Sequence, residues 1–251
     1  MIRLLEEKVA LVTGGSQGIG KAICEAFAAH GPKVIVVEIK IAAAEALAAS
    51  LNEVGGTAFA FPLDVSELAS CEALASRIRN EIGAVSILVN NAGVAGSAAL
   101  DADDARKVWD NEISVNLTGA FNLTRAFLSA LKETRGCVVN LCSIASFNAV
   151  TAGFGYNATK VGLRSLTQTM ARQLAIKGIR ANAVAPGCIK TPMTAGRLAD
   201  ATRAAKILSR VPMSRPAAPD EVADPIVFLC SDMARYITGV TLPVDGGFNA
   251  V

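Results

Sequence analysis

Short apolar runs rich in β-branched residues alternate with longer amphipathic stretches along the whole chain, and this alternation constrains the fold more than any other feature. Residues 8–12, 33–37, 58–62, 86–89, 137–141, 180–185 and 241–244 read as strands. They lack clean polar alternation, as expected where helices cover both faces of a parallel sheet. Between them, residues 19–29, 42–52, 68–81, 109–132, 156–177 and 220–230 carry helical patterns. Parallel neighbours need crossovers, and right-handed strand–helix–strand units supply them. The expected fold is α/β: a doubly wound parallel sheet of about seven strands with helices on both faces. The 251 residues, 52% of them hydrophobic, suffice for one large core and are tight for two. With no repeat, low-complexity tract or linker, the expectation is a single domain spanning 1–251.

The first strand and first helix are joined by Thr13–Gly20, TGGSQGIG. Gly14, Gly18 and Gly20 allow a tight turn and close backbone approach to a pyrophosphate, and a helix opening near Ile19 aims its first amides at that anion. The spacing is G-x-x-x-G-x-G, unlike the common G-x-G-x-x-G. Strand, turn and helix in this order read as a Rossmann dinucleotide site. The second strand is followed by Glu38, about twenty residues beyond the glycines. A carboxylate there accepts hydrogen bonds from both adenosine ribose hydroxyls and repels a 2′-phosphate, which favours NAD over NADP. Gln17 adds no positive charge to the turn, although Lys40 lies nearby.

Several classes are disfavoured. The net charge is +2, without a basic run, so nucleic acid is not an expected partner. No apolar run approaches the ~20 residues of a membrane span, and the start lacks the pattern of a signal peptide, so the expected location is cytoplasmic. The six cysteines form no Cys-x-x-Cys pair and the one histidine is His30, so no metal site is expected and the cysteines read as reduced, packed thiols.

The chain resembles the short-chain dehydrogenase/reductase family, in its compact single-domain branch. TGGSQGIG, Asp64-Val65, Asn90-Asn91-Ala92-Gly93, Asn116, Ser143, Tyr156-x-x-x-Lys160 and Pro186-Gly187 stand in the family's order and spacing, and the likeness runs to the closing VDGG at 244–247. Glu38 departs from it, aspartate being commoner there. The resemblance implies cofactor contacts from Gly14, Ser16, Gln17, Gly18, Ile19, Gly20, Glu38, Asp64, Val65, Asn90, Ala92, Gly93, Tyr156, Lys160, Pro186, Gly187, Ile189 and Thr191. It assigns Asp64 to the adenine amino group and Thr191 to the nicotinamide carboxamide. Asn116 is implied to maintain a water link to the lysine. A substrate site is implied at Ser143, Ala145, Tyr156, Cys188 and Met193, walled by 94–97 and 144–150, with a helical lid at about 191–212.

The chemistry explains these residue types. Oxidising a secondary alcohol removes the hydroxyl proton as hydride leaves the same carbon. Free tyrosine ionises near pH 10, so about one part in a thousand is phenolate at neutrality. Lys160, one helical turn from Tyr156, brings an ammonium that favours the phenolate. Ser143 can donate to the substrate oxygen. The expected activity interconverts a small alcohol, polyol or sugar and its ketone. Its rivals are a 3-oxoacyl thioester reductase using NADPH and a catalytically silent dinucleotide sensor. Small residues on the two long helices, among them Ala158, Gly162 and Ala171, together with the family pattern, suggest a homotetramer.

Overall fold

The protein is described by a computed structural model covering residues 3–150 and 152–251. Seven strands form one parallel sheet: β1 (Val9–Thr13), β2 (Lys33–Glu38), β3 (Thr57–Pro62), β4 (Ile87–Asn90), β5 (Cys137–Leu141), β6 (Arg180–Pro186) and β7 (Thr241–Val244). Their spatial order is β3-β2-β1-β4-β5-β6-β7, every neighbouring pair being parallel. The strands are apolar on both sides because both faces are covered. In β1, Ala10 and Val12 join the core cluster under α1 (Gly18–Ala29), α2 (Ile41–Glu53) and α10 (Asp220–Cys230). Val9 and Leu11 join the opposite cluster, under α3 (Leu68–Glu81), α5 (Gly119–Ala126) and α7 (Phe154–Leu174). This is the expected doubly wound fold. The winding reverses between β1 and β4, where crossovers leave in opposite directions and open a crevice beyond the strand ends.

Two long helices differ from the sequence reading. The stretch expected as one helix over 109–132 is α4 (Ala105–Ile113), a π-helical turn at Ser114–Thr118, α5 and then α6 (Leu128–Thr134). The π turn inserts one residue and holds Asn116, a poor helix former, and the second break falls at Phe127 with φ −90° and ψ 3°. The helix expected at 156–177 begins two residues earlier, at Phe154, and closes in a 3₁₀ turn at Ala175–Lys177 before Gly178 in the left-handed region. Residues 191–212 hold two short helices, α8 (Pro192–Ala199) and α9 (Ala201–Leu208), separated where Asp200 caps α9 through the amides of Thr202 and Arg203. Among the described residues, no helix is long and apolar enough to cross a membrane.

Candidate active site

A cavity of about 430 Å³ occupies the crevice at the carboxyl ends of the strands. It runs from Glu38 and Asp64, beyond β2 and β3, to Ser143, Tyr156 and Thr191.

Its floor is the glycine turn. Gly14 and Gly18 have φ of +59° and +52°, the left-handed region that glycine tolerates. A Cβ at Gly20 would lie 2.0 Å from the Gly14 carbonyl oxygen, so no side chain fits there. Helix α1 starts at Gly18 with no side-chain cap and no acidic residue in its first turn, leaving its first amides for an outside acceptor. A positive helix end behind a side-chain-free cradle, opening on a cavity, fits a dinucleotide pyrophosphate. Asn91 braces the turn: its Nδ2 donates to the carbonyls of Thr13 (2.8 Å) and Gly14 (3.0 Å).

At one end of the cavity, Ser16 Oγ donates to Glu38 Oε2 at 2.7 Å and the Ile39 amide to Oε1 at 3.0 Å, so the carboxylate is held at the wall. Asp64 Oδ1 accepts from both Ser66 N–H and Ser66 Oγ, which fixes the Asp64 side chain. Asn122 donates from α5 to the carbonyls of Val65 and Ser66, holding this loop from behind.

At the other end, Lys160 is buried, and its Nζ donates to the Leu141 carbonyl at 2.6 Å while lying 5.6 Å from the centre of the Tyr156 ring. Ser143 caps a 3₁₀ turn over Ile144–Ser146, accepting the Ala145 amide on Oγ at 3.1 Å. That capping bond uses a lone pair and leaves the hydroxyl proton free to be donated. Asn116 holds the backbone of Val94 in both directions, accepting its N–H at 2.7 Å and donating to its C=O at 2.8 Å. Thr191 caps α8 in a reciprocal box with Thr194, whose hydroxyl also meets the Ile189 carbonyl. Burial pushes the Cys142 thiol up against the pull of Lys160.

Most residues singled out by sequence line this one cavity: Gly14, Gln17, Gly18, Ile19, Gly20, Glu38, Asp64, Val65, Ala92, Gly93, Ser143, Tyr156, Lys160, Pro186, Gly187, Ile189, Thr191 and Met193. Five lie off its wall. Ser16 stands behind Glu38, and Asn116 behind Val94. Asn90 turns into the core, donating to Asn140 Oδ1 at 2.8 Å and Thr124 Oγ1 at 3.1 Å. Ala145 is buried beneath its turn, and Cys188 is half-buried outside the cavity. The sequence reading gave no role to Asn91, Asn122 or Thr194. Asn91 stood inside a quoted motif; the other two have no local signal, since their partners lie on other elements or depend on the turn that forms.

Residues 14–249 match a family model described as enoyl-(acyl carrier protein) reductase. An L-rhamnose 1-dehydrogenase (NAD(P)(+)) of Azotobacter vinelandii is 38% identical over 250 residues, 97% of each chain. A 3-oxoacyl-[acyl-carrier-protein] reductase of Escherichia coli is 40% identical over 247 residues, covering 98% of this chain and 99% of the relative. The structure of a gluconate 5-dehydrogenase from Burkholderia cenocepacia, in complex with NADP and tartrate, superposes with a TM-score of 0.95 at 33% identity, covering 99% of this chain and 98% of that one. The chain belongs to the short-chain dehydrogenase/reductase family and is an oxidoreductase that acts on CH–OH groups with a nicotinamide dinucleotide.

Proposed function

We propose that the chain is an NAD(H)-dependent dehydrogenase of a secondary alcohol carried by a polyol or sugar, with Tyr156 as its general acid/base. The observation that carries this reading is the convergence of Ser143, Tyr156 and Lys160 at one end of a cavity whose other end presents Glu38 and Asp64. Bound nicotinamide would supply the acceptor for the hydride leaving the carbinol carbon. Ser143 donates a hydrogen bond to the substrate oxygen and keeps its proton, and Tyr156 takes the alcohol proton, or returns it in the reverse direction. Lys160, held by Leu141, keeps a positive charge beside the phenol. Asn116 Oδ1 and Lys160 Nζ both border Gly93, within 3.2 and 3.8 Å of where its Cβ would stand, and the proposal gives Asn116 the water link to the lysine. Asp64 takes the adenine edge, Thr191 the carboxamide, and α8–α9 the role of lid, with Met193 facing the substrate.

Glu38 supports NAD, because a fixed carboxylate beyond β2 suits ribose hydroxyls and would repel a 2′-phosphate. The gluconate 5-dehydrogenase carries NADP, so cofactor choice is the first thing to measure. Oxidation of L-rhamnose, D-gluconate and a set of polyols, followed by NADH absorbance, should give the higher kcat/KM with NAD. A strong preference for NADP would overturn the cofactor reading. The second reading is a 3-oxoacyl thioester reductase, favoured by the likeness to the E. coli reductase; acetoacetyl-CoA reduced with NADPH faster than any sugar is oxidised would select it.

Assembly as a homotetramer is supported by two apolar surfaces. Phe121 and Val161 are exposed on α5 and α7, and Met233 and Tyr236 are exposed near β7, the open edge of the sheet. Ala171 is buried against the sheet, so it takes no part in such an interface. A monomeric mass by light scattering would refute the tetramer. The six unbridged cysteines support a reducing compartment, the cytosol.

A further inference from the structure

Among the described residues, two acidic or basic side chains are buried: Lys160 and Glu112. The first belongs to the site above. Glu112, in the last turn of α4, is 1% exposed, and a carboxylate there is costly unless the surrounding groups hold it.

Its surroundings are built around it. Oε1 accepts the Gly96 amide at 2.7 Å, and the Gly96 carbonyl in turn accepts the Gly153 amide at 3.1 Å. Oε2 has no hydrogen-bond partner and lies against Gly155, where a Cβ would come within 2.3 Å of it. Cβ atoms at Gly153 and Gly96 would stand 3.4 and 3.6 Å from Oε1. Oε2 thus faces the first turn of α7, which has neither a side-chain cap nor an acidic residue of its own and whose first internally bonded amide is that of Asn157. The free amides and positive end of that helix favour a carboxylate from another element. One turn earlier on α4, Trp109 stacks on Phe154, with ring centres 5.9 Å apart and planes at 20°. Four residues later, Asn116 grips Val94. Glu112 and Asn116 thus each hold the backbone of one residue of segment 94–96.

We propose that Glu112 is a positioning residue for this reaction: its carboxylate sets the spacing between segment 94–96 and the first turn of α7, and thereby the placement of Tyr156 against the substrate wall. Val94 and Tyr156 line the cavity. Gly96 and Gly155 stand beside them in the chain, and Glu112, which is not on the cavity wall, bonds the first and packs against the second. The inference rests on the reading of that end as the substrate site.

The test compares Glu112→Val, Glu112→Gln, Gly155→Ala and the double variant Glu112→Val/Gly155→Ala. Turnover is measured with whichever of L-rhamnose and D-gluconate is oxidised faster, together with NADH affinity and the thermal midpoint. Glu112→Val should lower kcat roughly 10- to 100-fold, the scale of an ångström-sized misplacement, with NADH affinity retained. Glu112→Gln keeps an acceptor for the Gly96 amide and should recover most of that loss. Gly155→Ala should lower the thermal midpoint, and Glu112→Val should relieve the clash, so the double variant melts above Gly155→Ala. This coupling is read without any substrate. Undiminished kcat in Glu112→Val, equal losses in the Gln and Val variants, NADH affinity falling in step with kcat, or additive melting shifts would each overturn the proposal. If instead Tyr156→Phe turns over normally while the melting shifts are coupled, the functional reading fails and the positioning contact stands.

Discussion

At the end of β4 two adjacent asparagines do opposite work. Asn90 faces the helices over the sheet and its Nδ2 donates to Asn140 and Thr124, whereas Asn91 faces the glycine turn and closes it. The pair was visible in the sequence, but not which member would reach the cavity, because that depends on where the strand ends relative to its pleat. Ser143 makes the complementary point: the cap on its own turn and a place on the cavity wall are both observed, so the hydroxyl proposed to meet the substrate oxygen also holds its turn. Removing the Asn91 amide leaves two carbonyls without that donor. Asn91→Ala should therefore cost about 1–3 kcal/mol in chemical denaturation and weaken NADH binding in a fluorescence titration. Unchanged NADH affinity would show that the turn closes without Asn91.

At the scale of elements, all seven strands were legible, to within a residue or so at their ends, because buried parallel strands are written as short apolar runs. The interruptions in the helices were not. Nothing local in 109–132 announces a π turn except Asn116 itself, and the division of residues 191–212 into two helices turns on Asp200 serving as a cap. Beyond α9, Arg215 grips both carboxylate oxygens of Glu221, at 2.7 Å each, just as α10 begins. That pair, with the Ala218 amide, holds Glu221 down to about 2. Because the folded-state value is depressed, the contact favours the native state above the ordinary carboxylate range and is lost as pH falls towards 2. Arg215→Ala should return Glu221 towards the ordinary range, as a carboxyl-carbon NMR titration would show. A Glu221 midpoint that stays near 2 in that variant would assign the depression to Ala218 and the helix end instead.

For the whole molecule, the alternation of strands and helices specified a doubly wound sheet, and the reversal between β1 and β4 placed the cavity. What the chain order could not convey is depth: which of six thiols is reachable, or that a carboxylate from α4 is buried beside the start of α7. Five cysteines are buried, with Cys71 pushed up to about 11 chiefly by burial, and Cys188 alone is half-buried. A dithiobisnitrobenzoate titration of the native protein should count one reactive thiol, and six after unfolding; two or more fast thiols in the native protein would contradict this packing. The central claim concerns Tyr156, and turnover by Tyr156→Phe tests it most directly. The phenyl ring fills the same space but has no proton to exchange, so kcat should fall roughly 10²- to 10⁴-fold while NADH binding persists. Turnover equal to that of the parent chain, with the same alcohol and the same cofactor, would contradict it.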